Sequence, residues 1–239
     1  MEGRKLTRNR YGRKKRKVGI RNVVENTYYI FCEGEKTEPL YFREMANVIA
    51  HNAIYKNVVQ VFVKGTGLNT TGIVESAARF INENGITKGS VWCVFDKDDF
   101  PAKKFDSASK LANEYTKKTN NLVQYQIAWS NECIEYWFLL HFGYLDADIL
   151  RTDYQERLTK YFHSSGHGAY AKNSDELFDI LTNDGNPKKA IRWAEKRLDS
   201  YDMDTILNHP SKITPGTTVY KLVEVLAKYF PDEIRGEYL

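Results

Sequence analysis

The chain has little of what marks several large protein classes. Three cysteines occur in 239 residues, Cys32, Cys93 and Cys133; all lie in apolar runs and none forms a CxxC pair. That argues against a disulfide framework or a zinc ribbon and predicts reduced core thiols in a cytoplasmic protein. No apolar run approaches the roughly 20 residues of a membrane helix. No apolar segment follows the basic start, so a secretory signal is not expected either. There is no Walker motif. Gly65-Thr66-Gly67 lacks the lysine and spacing of a P-loop, so the chain is not expected to hydrolyse ATP alone. Internal repeats and long low-complexity stretches are also missing.

What is present supports a folded core, with 42% of residues apolar. The net charge of +4 is unevenly spread. Residues 1–17 hold nine Lys/Arg against one acid, whereas the rest carries 26 basic and 30 acidic residues. The basic character is therefore a tail, expected to be flexible over residues 1–24. Within it Arg13, Lys14, Lys15, Arg16 and Lys17 suit either a solvated terminus or an arm that pairs with nucleic-acid phosphates and releases their counterions.

From Thr27 strands and helices alternate. Apolar runs at Tyr28–Cys32, Val58–Val63, Val91–Phe95 and Val123–Trp129 read as strands. Helices fit Glu38 to about Ala50, about Asn69–Asn82, Lys103–Lys118 and Glu132 to about Phe142. This predicts an α/β fold with a mostly parallel sheet flanked by helices, over residues 25–143. The alternation in the fourth strand places it near an edge. After Gly143 the strands are expected to stop. Helices near 153–162, 174–182, 187–199 and 217–229 then form a C-terminal helical extension, residues 144–239, packed on the core.

In an open parallel sheet, ligands bind at the carboxyl ends of the strands. Glu33 leaves the first strand there, and Asp96, Asp98 and Asp99 leave the third. Carboxylates brought this close repel one another, and a hard divalent cation, Mg²⁺ or Mn²⁺, resolves the repulsion. Asp96 and Asp98 are two apart, so in an extended segment both face one side while Lys97 faces away. Gly34 permits a sharp turn after Glu33.

These residues resemble the Toprim signature, an apolar strand ending in Glu-Gly and a later strand ending in Asp-x-Asp. Here the motifs read FCEGEKTEP (Phe31–Pro39) and VFDKDD (Val94–Asp99). Together with Ser130–Phe142 (SNECIEYWFLLHF), Thr217–Val223 (TTVYKLV) and the basic tail, they resemble the RloB family, a Toprim-like group linked to bacterial restriction and defence. One departure stands out: the family block usually has Pro where Glu132 stands, so Glu132 inherits no role. The resemblance implies a Rossmann-like Toprim fold and a metal-dependent nuclease related to OLD-type enzymes. It implies that Glu33, Asp96 and Asp98 are catalytic metal ligands and that Glu135 completes a second metal position. Glu33 is alternatively a general acid or base. Lys36 or Lys97 would contact a phosphate, and a RloA-like ABC/AAA ATPase would be the partner. A nucleic-acid-binding or regulatory subunit without cleavage activity is the competing reading. A primase- or topoisomerase-like transferase is a third, for which the chain lacks the additional domains.

Simpler roles suit other residues. Glu35 and Glu38 are expected to flank a helix start, where acids favour the helix dipole. Asp99 fits an outer ligand or a loop cap. Glu135 lies in an apolar helix, where an unpaired acid would be costly, so a metal or a salt bridge must satisfy it. His163 and His167 read as surface loop residues, His141 as a hydrogen-bonded core or edge residue, and Lys172 as a minor candidate for phosphate contact. Nothing singles out Tyr115, Tyr125 or Tyr201 as base-stacking residues.

Overall fold

A computed structural model describes residues 25–98 and 100–239. Four strands, β1 (Asn26–Cys32), β2 (Val59–Gly65), β3 (Gly89–Asp96) and β4 (Val123–Asn131), alternate with helices α1 (Thr37–His51), α2 (Thr70–Glu83) and α3 (Ala102–Lys118). The four strands pair in parallel in the order β2-β1-β3-β4. The run VWCVFD of β3 is buried throughout, as expected of a central strand covered on both faces. In β2 buried and exposed residues alternate, and it forms one edge.

The remaining elements are α4 (Glu135–Leu139), α5 (Arg151–Ser164), α6 (Leu177–Asn183), α7 (Pro187–Leu198), α8 (Met203–Asn208), β5 (Gly216–Thr217), α9 (Val219–Ala227) and α10 (Asp232–Tyr238). Two expectations need correction. The strands do not end by Gly143, because the two-residue β5 beyond it adds antiparallel to β4. The helix expected from Glu132 starts only at Glu135, because the segment before it is committed elsewhere. Asn131 still pairs with Gly216, and its amide donates to Ile213 O at 2.7 Å, while Glu132 O accepts the Asp98 N–H at 3.2 Å.

The segment after Gly143 completes the sheet's helical cover. Helices α2 and α3 pack together on β3 and β4, whereas α9 packs on α1 and β4. Leu222, Val223 and Leu226 of α9 are fully buried. Among the bonds that fasten this region to the first half of the chain, Tyr28 Oη lies 2.9 Å from Tyr229 Oη, and Asn52 Nδ2 donates to Tyr229 O at 3.0 Å. Among the described residues no helix is long and apolar enough to cross a membrane.

The strand order fixes where a ligand can sit. The chain steps from β1 outward to β2, then returns across β1 to β3. The carboxyl ends of β1 and β3 therefore diverge at the topological switch point, where such sheets open a crevice.

Candidate functional site: an acidic cleft at the ends of β1 and β3

The sheet delivers two acids to this crevice. Glu33 extends β1 by one more bond, its N–H donating to Val94 O at 2.9 Å. Its carboxylate Oε2 then accepts the Asp96 N–H at 3.1 Å. The turn after Glu33 is tightly packed. A Cβ on Gly34 would collide with the Glu38 carboxylate, and one on Gly65 would stand 2.7 Å from Gly34 O. At Gly65 only glycine lets the two backbone segments pass, whereas at Gly34 the Glu38 side chain would have to turn aside.

Asp96 is the last residue of β3 and is 4% exposed. Asp98 lies beyond the strand at φ 41°, in the left-handed region that Asp tolerates better than most residues. A turn therefore brings Asp96 and Asp98 together, where strand alternation had been expected. The guanidinium of Arg151, the first residue of α5, bridges them. Its Nη2 donates to Asp96 Oδ2 at 3.3 Å, and its Nη1 donates to Asp98 Oδ1.

Two further acids are buried beside them. Glu135, the first residue of α4, is 1% exposed. Its Oε1 accepts from Tyr170 Oη at 3.3 Å and Gln155 Nε2 at 3.4 Å, and lies 3.5 Å from Lys172 Nζ. Lys172 is held in place because Thr37 Oγ1 donates to its carbonyl at 2.7 Å. Glu38, expected only to flank a helix start, is 6% exposed and folds back over Gly34 into the same cleft.

The cleft measures about 480 Å³ and is lined by Glu33, Glu35, Glu38, Asp96, Asp98 and Glu135 against Lys36, Arg151 and Lys172. Burial raises the Glu33 carboxyl to about 7, and Glu38 and Asp98 add to the rise against the Asp96 N–H and Arg151. Burial also lifts Glu38, with Glu135 contributing, and it lifts Asp96 well above the usual range, helped by Glu38 and Glu135 and opposed by Arg151. These are carboxylates short of positive charge. Two of their oxygens, Asp96 Oδ1 and Glu135 Oε2, are buried with no hydrogen-bond partner among the described residues.

That donor set fits a hard divalent cation: several carboxylates, two with an unsatisfied oxygen, in a polar cleft. Among the described residues, no three His, Cys, Asp or Glu stand already grouped at metal-holding spacing. The guanidinium of Arg151 occupies the place between Asp96 and Asp98.

The fold gathers some of the residues singled out in the sequence and scatters others. Glu33, Asp96, Asp98, Glu135 and Lys36 line the cleft. Lys97 follows β3 but bends back, its Nζ donating to Asp98 O at 3.1 Å. Arg13, Lys14, Lys15, Arg16, Lys17 and Asp99 lie outside the described residues. His167 sits apart, its Nε2 2.8 Å from Asp184 Oδ2. His141 is buried, its Nδ1–H donating to Trp137 O at 3.0 Å. Tyr115 and Tyr125 border a separate cavity of about 520 Å³ beside α2 and α3.

The sequence reading missed Arg151, Gln155 and Tyr170, and assigned Glu38 elsewhere. Nothing local marks Arg151, which is separated by 53 and 55 residues from the acids it bridges. A buried Glu38 has the same sequence pattern as a solvated helix-start acid.

A mostly parallel α/β sheet with an acidic cleft at its switch point defines the class of protein. Within that class, the family model described as RloB-like protein matches residues 28–226, and the chain belongs to the RloB family. No curated protein and no solved structure matches the chain.

Proposed function

We propose that this chain is a Toprim-type, divalent-metal-dependent nuclease of bacterial anti-phage defence, gated by a partner ATPase resembling RloA. The observation that carries the reading is the pair of orphaned buried oxygens, Asp96 Oδ1 and Glu135 Oε2, in a cleft with more carboxylates than cations. Glu33, Asp96, Asp98 and Glu135 would hold Mg²⁺ or Mn²⁺, with the Glu38 carboxyl buried beside them. The bound ion would supply charge neutralisation and Lewis-acid polarisation of a phosphodiester.

The chain's own groups account for the rest. Glu33 has an alternative role: where it does not ligate the ion, its carboxyl, raised by burial to about 7, can take a proton from an attacking water or return one to a leaving oxygen near neutral pH. Lys36 and Lys172 are cations at the cleft that can meet non-bridging phosphate oxygens, and Lys97 stands just beyond it. The narrow turn at Gly34 and Gly65 holds Glu33 in place.

The Arg151 bridge favours a second reading, in which the site is neutralised internally and the chain is a nucleic-acid-binding subunit without cleavage activity. One experiment separates the two. Purified chain is incubated with DNA and with RNA, in Mn²⁺, Mg²⁺ or EDTA, with and without the ATPase. The nuclease reading expects metal-dependent cleavage that Asp96→Ala abolishes in folded protein. Cleavage surviving in Asp96→Ala, or none under any condition, overturns it.

A further inference from the structure

We infer that Arg151 is an exchangeable internal cation: it holds Asp96 and Asp98 until a divalent ion enters, then passes to a phosphate oxygen of the bound nucleic acid. This rests on the metal-site reading above and adds a role for a residue of the C-terminal half.

The backbone of Arg151 is fixed, and its head, paired with both acids, is partly exposed at the cleft. Asp153 Oδ2 accepts the Leu150 N–H at 3.3 Å, which pins the start of α5. Behind it Tyr154 and Leu158 are fully buried, and the Tyr154 ring packs edge-on against Tyr136 of α4. The side chain of Arg151 is 34% exposed and lines the cleft. Its two contacts are unequal: Asp96 is almost wholly buried, whereas the Asp98 side chain is 35% exposed. Arg151 Nε is buried with no partner among the described residues, so the fork is incompletely used where it stands.

A divalent ion at Asp96 and Asp98 carries twice the charge of the guanidinium and competes for the same oxygens. The displaced head stays tethered within a side chain's length of the cleft. A planar, permanently charged fork matches two phosphate oxygens better than an ammonium does. Metal entry and phosphate capture are then two ends of one exchange.

The exchange predicts effects of opposite sign from one substitution. In full-length protein, Arg151→Gln should bind Mn²⁺ roughly tenfold more tightly by titration calorimetry, because the competitor is gone. At saturating Mn²⁺ the same variant should hold a labelled single-stranded DNA, or its RNA counterpart, more weakly than wild type. Arg151→Lys keeps the charge without the fork and should fall between in both measurements, which also covers a failure of the Gln variant to fold. Equal or weaker Mn²⁺ binding in Arg151→Gln, while Asp96→Asn still abolishes binding, overturns the exchange and leaves the metal site standing. Equal oligonucleotide binding overturns the phosphate half. Absence of Mn²⁺ binding in both wild type and Arg151→Gln overturns the metal site, and the exchange with it.

Discussion

Glu33 Oε2 accepts the backbone N–H of Asp96 at 3.1 Å, joining residues 63 apart in sequence at the diverging ends of β1 and β3. The bond needs an oxygen but not a charge. Glu33→Gln should therefore keep the fold while removing the ionisable group. If Glu33 moves a proton in the reaction, cleavage should fall by roughly 10²–10⁴-fold. Glu33→Ala should lose as much activity and also lower the melting temperature, because the part-buried Asp96 N–H loses its acceptor. Unchanged turnover in the folded Gln variant would remove Glu33 from the chemistry.

The same carboxyl predicts a pH dependence of stability. Burial raises it from 4.5 to about 7 in the folded protein, with Glu38 and Asp98 adding and Arg151 opposing. Between those values the native state holds a proton that the unfolded chain has released. Stability from this group is therefore greatest below pH 4.5 and is lost as pH rises toward 7. His141 works in the opposite sense. Its imidazole is buried, which lowers it from 6.5 to about 4. The unfolded chain protonates first, so stability falls as pH drops from 6.5 through 4, by on the order of 3 kcal/mol at the acid end. Urea titrations in EDTA across pH 4–8 should show the Glu33 slope vanish in Glu33→Gln and the His141 slope vanish in His141→Asn.

The two effects also mark how far the sequence could be read. Strand runs such as VWCVF and the strand-end acids Glu33 and Asp96 were legible because a continuous apolar run that ends in an acid and a turn is a local signal. Glu135 was legible because a lone acid in an apolar helix requires a partner. The partners themselves were not. Arg151, Gln155 and Tyr170 reach the cleft from segments beyond Gly143, and no periodicity encodes which face of α5 meets β3; Lys172 was named for phosphate contact, not as the partner of Glu135. The short β5 was hidden for a related reason: two residues, Gly216 and Thr217, carry no alternation, and only pairing with Ser130 and Asn131 makes them a strand.

Gly65 should prove indispensable although it bears no chemistry. A Cβ there would stand 2.7 Å from Gly34 O and 2.8 Å from the Cα of Glu35, both backbone atoms that cannot rotate away. Gly65→Ala must push the Glu33 turn outward. The expected cost is about 1–3 kcal/mol in unfolding free energy, the range for overpacked sites. Mn²⁺ affinity should fall with it, since Glu33 rides on that turn. A variant with wild-type stability and wild-type Mn²⁺ binding would mean that the turn relaxes without moving the acid.

Lys172 and Glu135 form an unequal pair, and the inequality gives the sharpest stability test. The Lys172 side chain is 48% exposed, whereas Glu135 is 1% exposed. Losing the acid leaves an ammonium that water can solvate. Losing the ammonium leaves a buried carboxylate with neutral donors such as Tyr170 and Gln155 and no cation beside it at Lys172's place. In EDTA, Glu135→Gln should therefore change the melting temperature little. Lys172→Ala should destabilise by about 1–3 kcal/mol, less than a fully buried pair would because the lysine is half in solvent. Mn²⁺ should reverse the ranking: it should restore Lys172→Ala, whose carboxylate regains a cation, and stabilise Glu135→Gln less than wild type. Thermal melts of the two variants with and without Mn²⁺ measure this directly. Stabilisation of both variants by Mn²⁺ to the same degree would mean that the ion binds without Glu135, and the second metal position would then lack its ligand.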